Sequence, residues 1–179
     1  MLRQRLQHSN GFTLLDLLSA ISIMLIITSV AVPSFSYLSK KTAQQTTVND
    51  LMRLLNFARQ AAVNERSSVV VCPSADENSC DENWSFPLMV FVDSDDNKSR
   101  GTQERLLITR PSLASQQQLN WRSLHRNFIS FKEDGTTGYQ NGRLYYCDLS
   151  ADDKHRAQLV VYRTGRTRVA QSLLSGCGA

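Results

Sequence analysis

Histidine is scarce in this chain, with three among 179 residues, and that narrows the catalytic chemistry on offer. His8 lies in a short polar N-terminal stretch, and neither His125 nor His155 stands in a Cys-His or Ser-His-Asp order that would put it beside a nucleophile. Glycine is sparse too, at eight residues, and none of it builds a Gly-rich loop of the kind that cradles phosphates. There is no internal repeat, and the only low-complexity run is the short Gln116, Gln117, Gln118 stretch, read as loop. No catalytic residue, no cofactor and no metal is expected, and the chain reads as a non-enzyme.

Four cysteines stand at positions 72, 80, 147 and 177. Their spacing fits neither a CxxC redox pair nor a paired-CxxC zinc site. Four cysteines allow three pairings; in an exported domain the simplest is Cys72 with Cys80 and Cys147 with Cys177, and the alternative is a set of buried thiols. The formal charge is +4 and the isoelectric point near 9.0. Arg3 and Arg5 supply two of those charges, so whole-chain charge says little about partners and the distribution of arginines matters more.

Long apolar runs are absent except for one. Residues 12–32, FTLLDLLSAISIMLIITSVAV, are apolar and, at about 1.5 Å per residue, long enough to cross a bilayer core of roughly 30 Å. A secretory signal has a shorter apolar core followed by its cleavage site; here the polar, arginine-bearing stretch 1–11 ends in Gly11, so the cut is expected before the apolar run and the helix is kept. Asp16 is costly inside such a helix and needs a partner or a function. Pro33 is expected to break or kink the helix, and Lys40 and Lys41 stand where they could meet headgroups. Beyond it Val48, Leu51, Leu55, Ala58 and Ala62 step by three and four, a stripe suited to packing on a sheet, and too short for a coiled coil.

After Glu65 the pattern turns to strands, expected at 69–72, 86–93, 105–109, 128–131, 143–147 and 158–163, with turns at 93–101, 134–138 and 150–154. The fold class is therefore α+β: a long N-terminal helix, membrane-spanning in its first half and amphipathic in its second, packed on antiparallel sheet. Three segments are expected: a leader 1–11, a membrane or filament-core helix 12–39 and a soluble globular domain 40–179.

Asp93, Asp95 and Asn97 alternate like the opening of a calcium loop, and Glu104 falls twelfth. Lys98 stands where that loop requires Gly, however, and a solvated hairpin turn is the expected reading. The C-terminal Arg163-Thr164-Gly165-Arg166-Thr167-Arg168 is more informative. Gly165 can make a tight turn into a closing strand, and if that strand is extended Arg166 and Arg168 share a side. Two guanidiniums about 7 Å apart suit successive phosphates, and Arg143, Lys154 and Arg156 could widen the patch. No aromatic side chain interleaves with these arginines in sequence, so contact is expected to be led by phosphate. The alternative is a solvated hairpin whose arginines keep it soluble or pair with carboxylates of another subunit.

The stretch Gly11-Phe12-Thr13-Leu14-Leu15-Asp16, with the apolar run and Pro33, resembles the class III signal of type IV pilins and type II secretion pseudopilins. The Val71-Cys72-Pro73-Ser74 segment with Cys80, Trp84-Ser85, Val90 to Asp93 and the GRTR element are similar to the FimT/GspH group of minor pilins and pseudopilins. The resemblance implies a pilin-like fold. It also implies cleavage by prepilin peptidase between Gly11 and Phe12 with N-methylation of Phe12. Asp16 would be the filament-assembly carboxylate, pairing with a neighbour's N-terminal ammonium, where the family usually has Glu. Expected partners are other pilin or pseudopilin subunits, the peptidase, the inner membrane and double-stranded DNA, the last through Arg163, Gly165, Arg166 and Arg168. Some members of the group bind DNA in natural transformation. The expected location is the bacterial inner membrane, single-pass with a periplasmic domain, before assembly and the pilus or pseudopilus after it. The rival reading is a structural pseudopilin or an assembly-priming minor pilin without DNA.

Overall fold

A computed structural model describes residues 13–124, 127–150, 155–170 and 177. The expected leader, with Gly11 and Phe12, lies outside the described residues, as do His8, His125 and Lys154. The chain divides into two compact units, Met1–Lys40 and Lys41–Ala179.

One helix, α1 (Leu14–Glu65), begins at a cap that the sequence writes locally. The Thr13 hydroxyl accepts from the Asp16 amide at 3.3 Å, while the Asp16 carboxylate accepts from the Thr13 amide at 3.0 Å and the Thr13 hydroxyl at 2.8 Å. This is the reciprocal arrangement of a capping box, with Asp in the place of the usual Glu. Through the first unit the apolar side chains, such as Leu14, Leu18, Met24 and Ile26, are exposed, and the helix is long and apolar enough to cross a membrane. Contrary to the expected break, helical structure continues through Pro33. Proline removes one backbone donor, and in the turns around it the hydroxyls of Thr28, Ser29 and Ser34 bond to carbonyls three or four residues back. The helix is kept through the proline.

In the second unit the predicted stripe is buried, and Thr47, Leu54 and Ala61 join it. Among the described residues eight strands follow: β1 (Ser68–Pro73), β2 (Leu88–Asp93), β3 (Leu106–Arg110), β4 (Gln117–Ser123), β5 (Ile129–Phe131), β6 (Gly142–Asp148), β7 (Ala157–Val161) and β8 (Thr167–Ala170). They form two antiparallel four-stranded sheets, ordered β3-β2-β1-β5 and β4-β6-β7-β8. Six strands fall where the sequence places them to within two residues at most ends. β8 appears as the closing strand after Gly165.

The expected loop at 116–118 is corrected, because Gln117 and Gln118 open β4. Glutamine has little strand preference of its own. Here the register opposite β6 decides, turning Leu119 into the core and Gln118, Asn120 and Arg122 to the other face.

The core joins α1 to the inner faces of both sheets: Leu51, Leu55 and Ala58 pack with Val69, Val90, Ile129 and Phe131 from one sheet and Leu119, Leu144, Leu159 and Val161 from the other. Each fully buried large side chain contributes roughly 1.5–3 kcal/mol against the unfolded chain. A second cluster, Val70, Cys72, Met89 and Phe91, fills the far side of the first sheet and is covered by Cys80, Leu106 and Phe128. Disulfides join Cys72 to Cys80 beside that cluster and Cys147 to Cys177, which pins the chain near its C-terminus onto β6. Every residue of both clusters lies between Val48 and Val161, within the second unit.

Candidate nucleic-acid interface

Residues 162–166 turn the chain from β7 into β8. The Tyr162 amide donates to the Arg166 carbonyl at 2.9 Å and the Gly165 amide donates to the Tyr162 carbonyl at 2.8 Å. Gly165 has φ +72°, in the left-handed region, and a Cβ there would lie 1.9 Å from the Gly135 carbonyl oxygen. Gly135, itself at φ +74°, tips a second turn. The two turns lock together: Arg59 Nε of α1 donates to the Gly135 carbonyl at 2.9 Å, and the Thr137 amide donates to the Arg163 carbonyl at 2.9 Å. The glycine of the GRTR element is therefore a packing residue that brings two backbones into contact.

Past the turn Arg166 and Arg168 are exposed and Thr167 between them is buried, so the two arginines share the outer side as period-two alternation requires. Strand register then supplies what no local pattern contains. Arg168 lies opposite Val160, Val160 opposite Arg143 and Arg143 opposite Arg122. These residues form one cross-strand row on the outer face of the second sheet, and its three arginines are exposed. Neighbouring strands are about 4.8 Å apart, so the row spans roughly 14 Å. It crosses a groove of about 660 Å³ that Leu124, Asn141 and Tyr162 also line. Among the described residues no carboxylate pairs with Arg122, Arg163, Arg166 or Arg168.

Arg122 went unnoticed in the sequence because it sits in the unrecognised β4. The apolar-polar alternation of Leu119, Asn120, Trp121 and Arg122 was its available signal. Arg156, by contrast, is corrected out of the patch. It precedes Ala157 at the opposite end of β7, some four residues or about 13 Å along the strand from Val160, because an extended chain separates its ends quickly.

The structure also corrects the view that no aromatics interleave with the arginines. The Arg163 guanidinium lies 5.5 Å from the centre of the Tyr139 ring. Arg168 lies 5.6 Å from that of Tyr162, and its Nε donates to the Tyr162 hydroxyl at 2.6 Å. Tyr139 is 24 positions from Arg163 in sequence, and only the docking of the Gly135 and Gly165 turns brings the two together.

Across residues 47–165 the chain matches the family model described as type II transport protein GspH. It belongs to that family. No curated protein sequence matches it. Among solved structures it is similar to the type IV minor pilin FimU of Pseudomonas aeruginosa. Identity to FimU is 17%, with 75% of this chain and 98% of FimU covered, at a TM-score of 0.56. It is also similar to the minor pseudopilin EpsH from the type II secretion system of Vibrio cholerae. There identity is 11%, with 75% of this chain and 98% of EpsH covered, at a TM-score of 0.52. These likenesses establish the pilin-like fold. The chain is a pilin-like protein of the FimT/GspH group and not an enzyme.

The acidic loop of this GspH-family domain has a different occupation from the calcium loop it resembles. Oxygens of Asp93, Asp95 and Glu104 lie within 4.8 Å of one another. The Lys98 ammonium, in place of the required glycine, sits 2.9 Å from the buried Asp93 carboxylate and also pairs with Asp96. Glu104 accepts from the Ser94 amide at 2.7 Å and the Gly101 amide at 2.9 Å. Burial pushes the Asp93 carboxyl above its ordinary range, opposed by the bond and charge of Lys98. A raised carboxyl favours the fold most when protonated and gives up that contribution as pH rises through it. Lys98→Met leaves the Asp93 charge buried without its cation and is expected to cost about 3 kcal/mol at neutral pH, the low end for a buried pair because Lys98 is itself partly exposed. Urea unfolding should show this, with part of the loss recovered as falling pH protonates the Asp93 carboxyl, whose raised position brings that protonation on earlier than for an ordinary carboxylate.

Proposed function

We propose that this chain is a minor type IV pilin that binds extracellular DNA for uptake, through the arginines of the β7–β8 turn and the cross-strand row beside it. The observation that carries this reading is the row itself: Arg122, Arg143 and Arg168 on one exposed sheet face, flanked by Arg163 and Arg166 at the turn. Three guanidiniums lining one groove, with two more on the adjoining turn, form a surface for a polyanion, and phosphate contacts release counterions. Guanidinium forks match phosphate oxygens better than ammonium groups do.

The N-terminal part of the proposal is cleavage by prepilin peptidase after Gly11, N-methylation of Phe12, and insertion of α1 into the inner membrane and then a filament. Asp16 there exchanges its own cap for a neighbour's N-terminal ammonium. Its bonds to Thr13 support this, because they keep the carboxylate at the helix start, beside the new terminus that cleavage creates. Other pilin or pseudopilin subunits are the partners of the exposed apolar helix.

The family model's description favours a second reading, a pseudopilin of a type II secretion machine whose partners are proteins alone. Gel-shift titration separates the two. The soluble domain from Lys41 onward retains the whole core and is titrated against duplex DNA at low and moderate salt, beside an Arg166→Gln, Arg168→Gln variant. Salt-sensitive binding lost in the variant supports the DNA reading, and equal binding or none supports the pseudopilin.

A further inference from the structure

The most exposed large apolar side chain among the described residues outside α1 is Tyr139, at 86%. A ring left in water forgoes the burial that usually places tyrosine, yet the backbone beneath this one is tightly fixed. The Gln140 amide donates to the Thr137 carbonyl at 3.0 Å, and the Thr137 hydroxyl bonds to the carbonyls of both Gln140 and Tyr162. The Gln140 side chain, itself buried, accepts from the Ser130 amide at 2.9 Å and donates to the Phe128 carbonyl. The loop is thus pinned to β5 on one side and to the β7–β8 turn on the other, while its ring stands clear. A rigid support under an open ring is what a binding surface needs to avoid an ordering cost.

Its neighbours point to the ligand. Arg163 stands 5.5 Å from the ring centre, so a cation accompanies the aromatic face. Tyr162, 36% exposed, follows with Arg168 against it, and beyond Arg168 lies the arginine row. Aromatic and cationic groups alternate from the turn into the groove. Proteins that hold single strands combine a cationic track for the backbone with aromatic faces on which unpaired bases stack. Duplex DNA offers no base face to a protruding ring except at an end or a lesion. Tyr145 does not extend this series, because although Arg122 lies over it the ring is only 7% exposed.

We propose that Tyr139 with Arg163 is a base-stacking platform, so that this surface takes single-stranded DNA, or a frayed duplex end, with an unpaired base on the tyrosine and the following phosphates on Arg166, Arg168 and the row. The inference rests on the DNA reading and narrows its substrate class. Tyr162 supplies a second, partly covered face for the next base.

The test is fluorescence anisotropy with the full chain in detergent micelles. The probes are a single-stranded oligothymidylate of about twenty nucleotides and a blunt, hairpin-closed duplex of matching charge. Tyr139→Leu is expected to weaken single-strand binding by about fivefold to a hundredfold, to leave Tyr139→Phe near wild type, and to change duplex binding by less than about twofold. If Tyr139→Leu leaves single-strand binding intact, or weakens both probes equally, the platform is wrong. The DNA reading then survives, provided Arg166→Gln, Arg168→Gln still weakens binding by about tenfold or more. If the wild-type chain binds neither probe, the DNA reading itself fails and the platform with it.

Discussion

Gly165→Ala is expected to unfold the β7–β8 turn from its neighbour and to lower domain stability by at least about 2 kcal/mol. The left-handed backbone alone costs a Cβ-bearing residue on the order of 1–2 kcal/mol. The overlap is then added: the new methyl would stand 1.9 Å from the Gly135 carbonyl oxygen and 3.0 Å from Arg59 Nε. Relief requires the two turns to part, which breaks the 2.9 Å bond from Arg59 to Gly135 and the 2.9 Å bond from Thr137 to Arg163. A buried carbonyl left without its donor adds roughly another 1–3 kcal/mol. Thermal unfolding of the domain measures the loss, and a melting temperature within a degree or two of wild type would contradict the packing role. Because the turn also aims Arg163 and Arg166, the variant should lose DNA binding as well. It therefore cannot by itself separate a binding role from a structural one.

The arginine substitutions separate them. Arg166→Gln with Arg168→Gln leaves the turn's backbone bonds intact and removes two exposed charges. If both contact phosphate, the slope of log K against log salt should become shallower by about 1.8, at roughly 0.9 per phosphate contact. Duplex affinity at low salt should fall by about tenfold to a hundredfold. Arg122→Gln with Arg143→Gln should act in the same direction, since those residues continue the row from Arg168. Stability should hardly move in either pair, as exposed charges are worth little to folding. A flat salt slope shared by wild type and both variants would mean that the row does not meet phosphate.

Sequence carried the helix, its buried stripe and six of the strands because each rests on local periodicity. Leu51, Leu55 and Ala58 repeat with the helix, and the Val-rich β1 and β2 alternate or run apolar between turn residues. What escaped depends on distant parts meeting. β4 is polar enough to pass for a loop until its pairing with β6 is known, and Arg122 is invisible without that pairing. The Tyr139–Arg163 contact exists only because Gly135 and Gly165 let two turns touch. At Pro33 the helix continues instead of breaking, since one missing donor is a smaller loss than the rest of a long helix can bear. Arg156 looked near the patch because sequence distance is short, but along a strand four residues carry a side chain to the other end of the sheet.

The most direct measurement is an NMR titration of the domain with duplex DNA, following the arginine Nε–Hε signals. Joint shifts of Arg122, Arg143, Arg166 and Arg168, reversed by added salt, are the predicted result. Shifts confined to other basic residues, or none at phosphate-saturating DNA, would contradict a nucleic-acid site on this face.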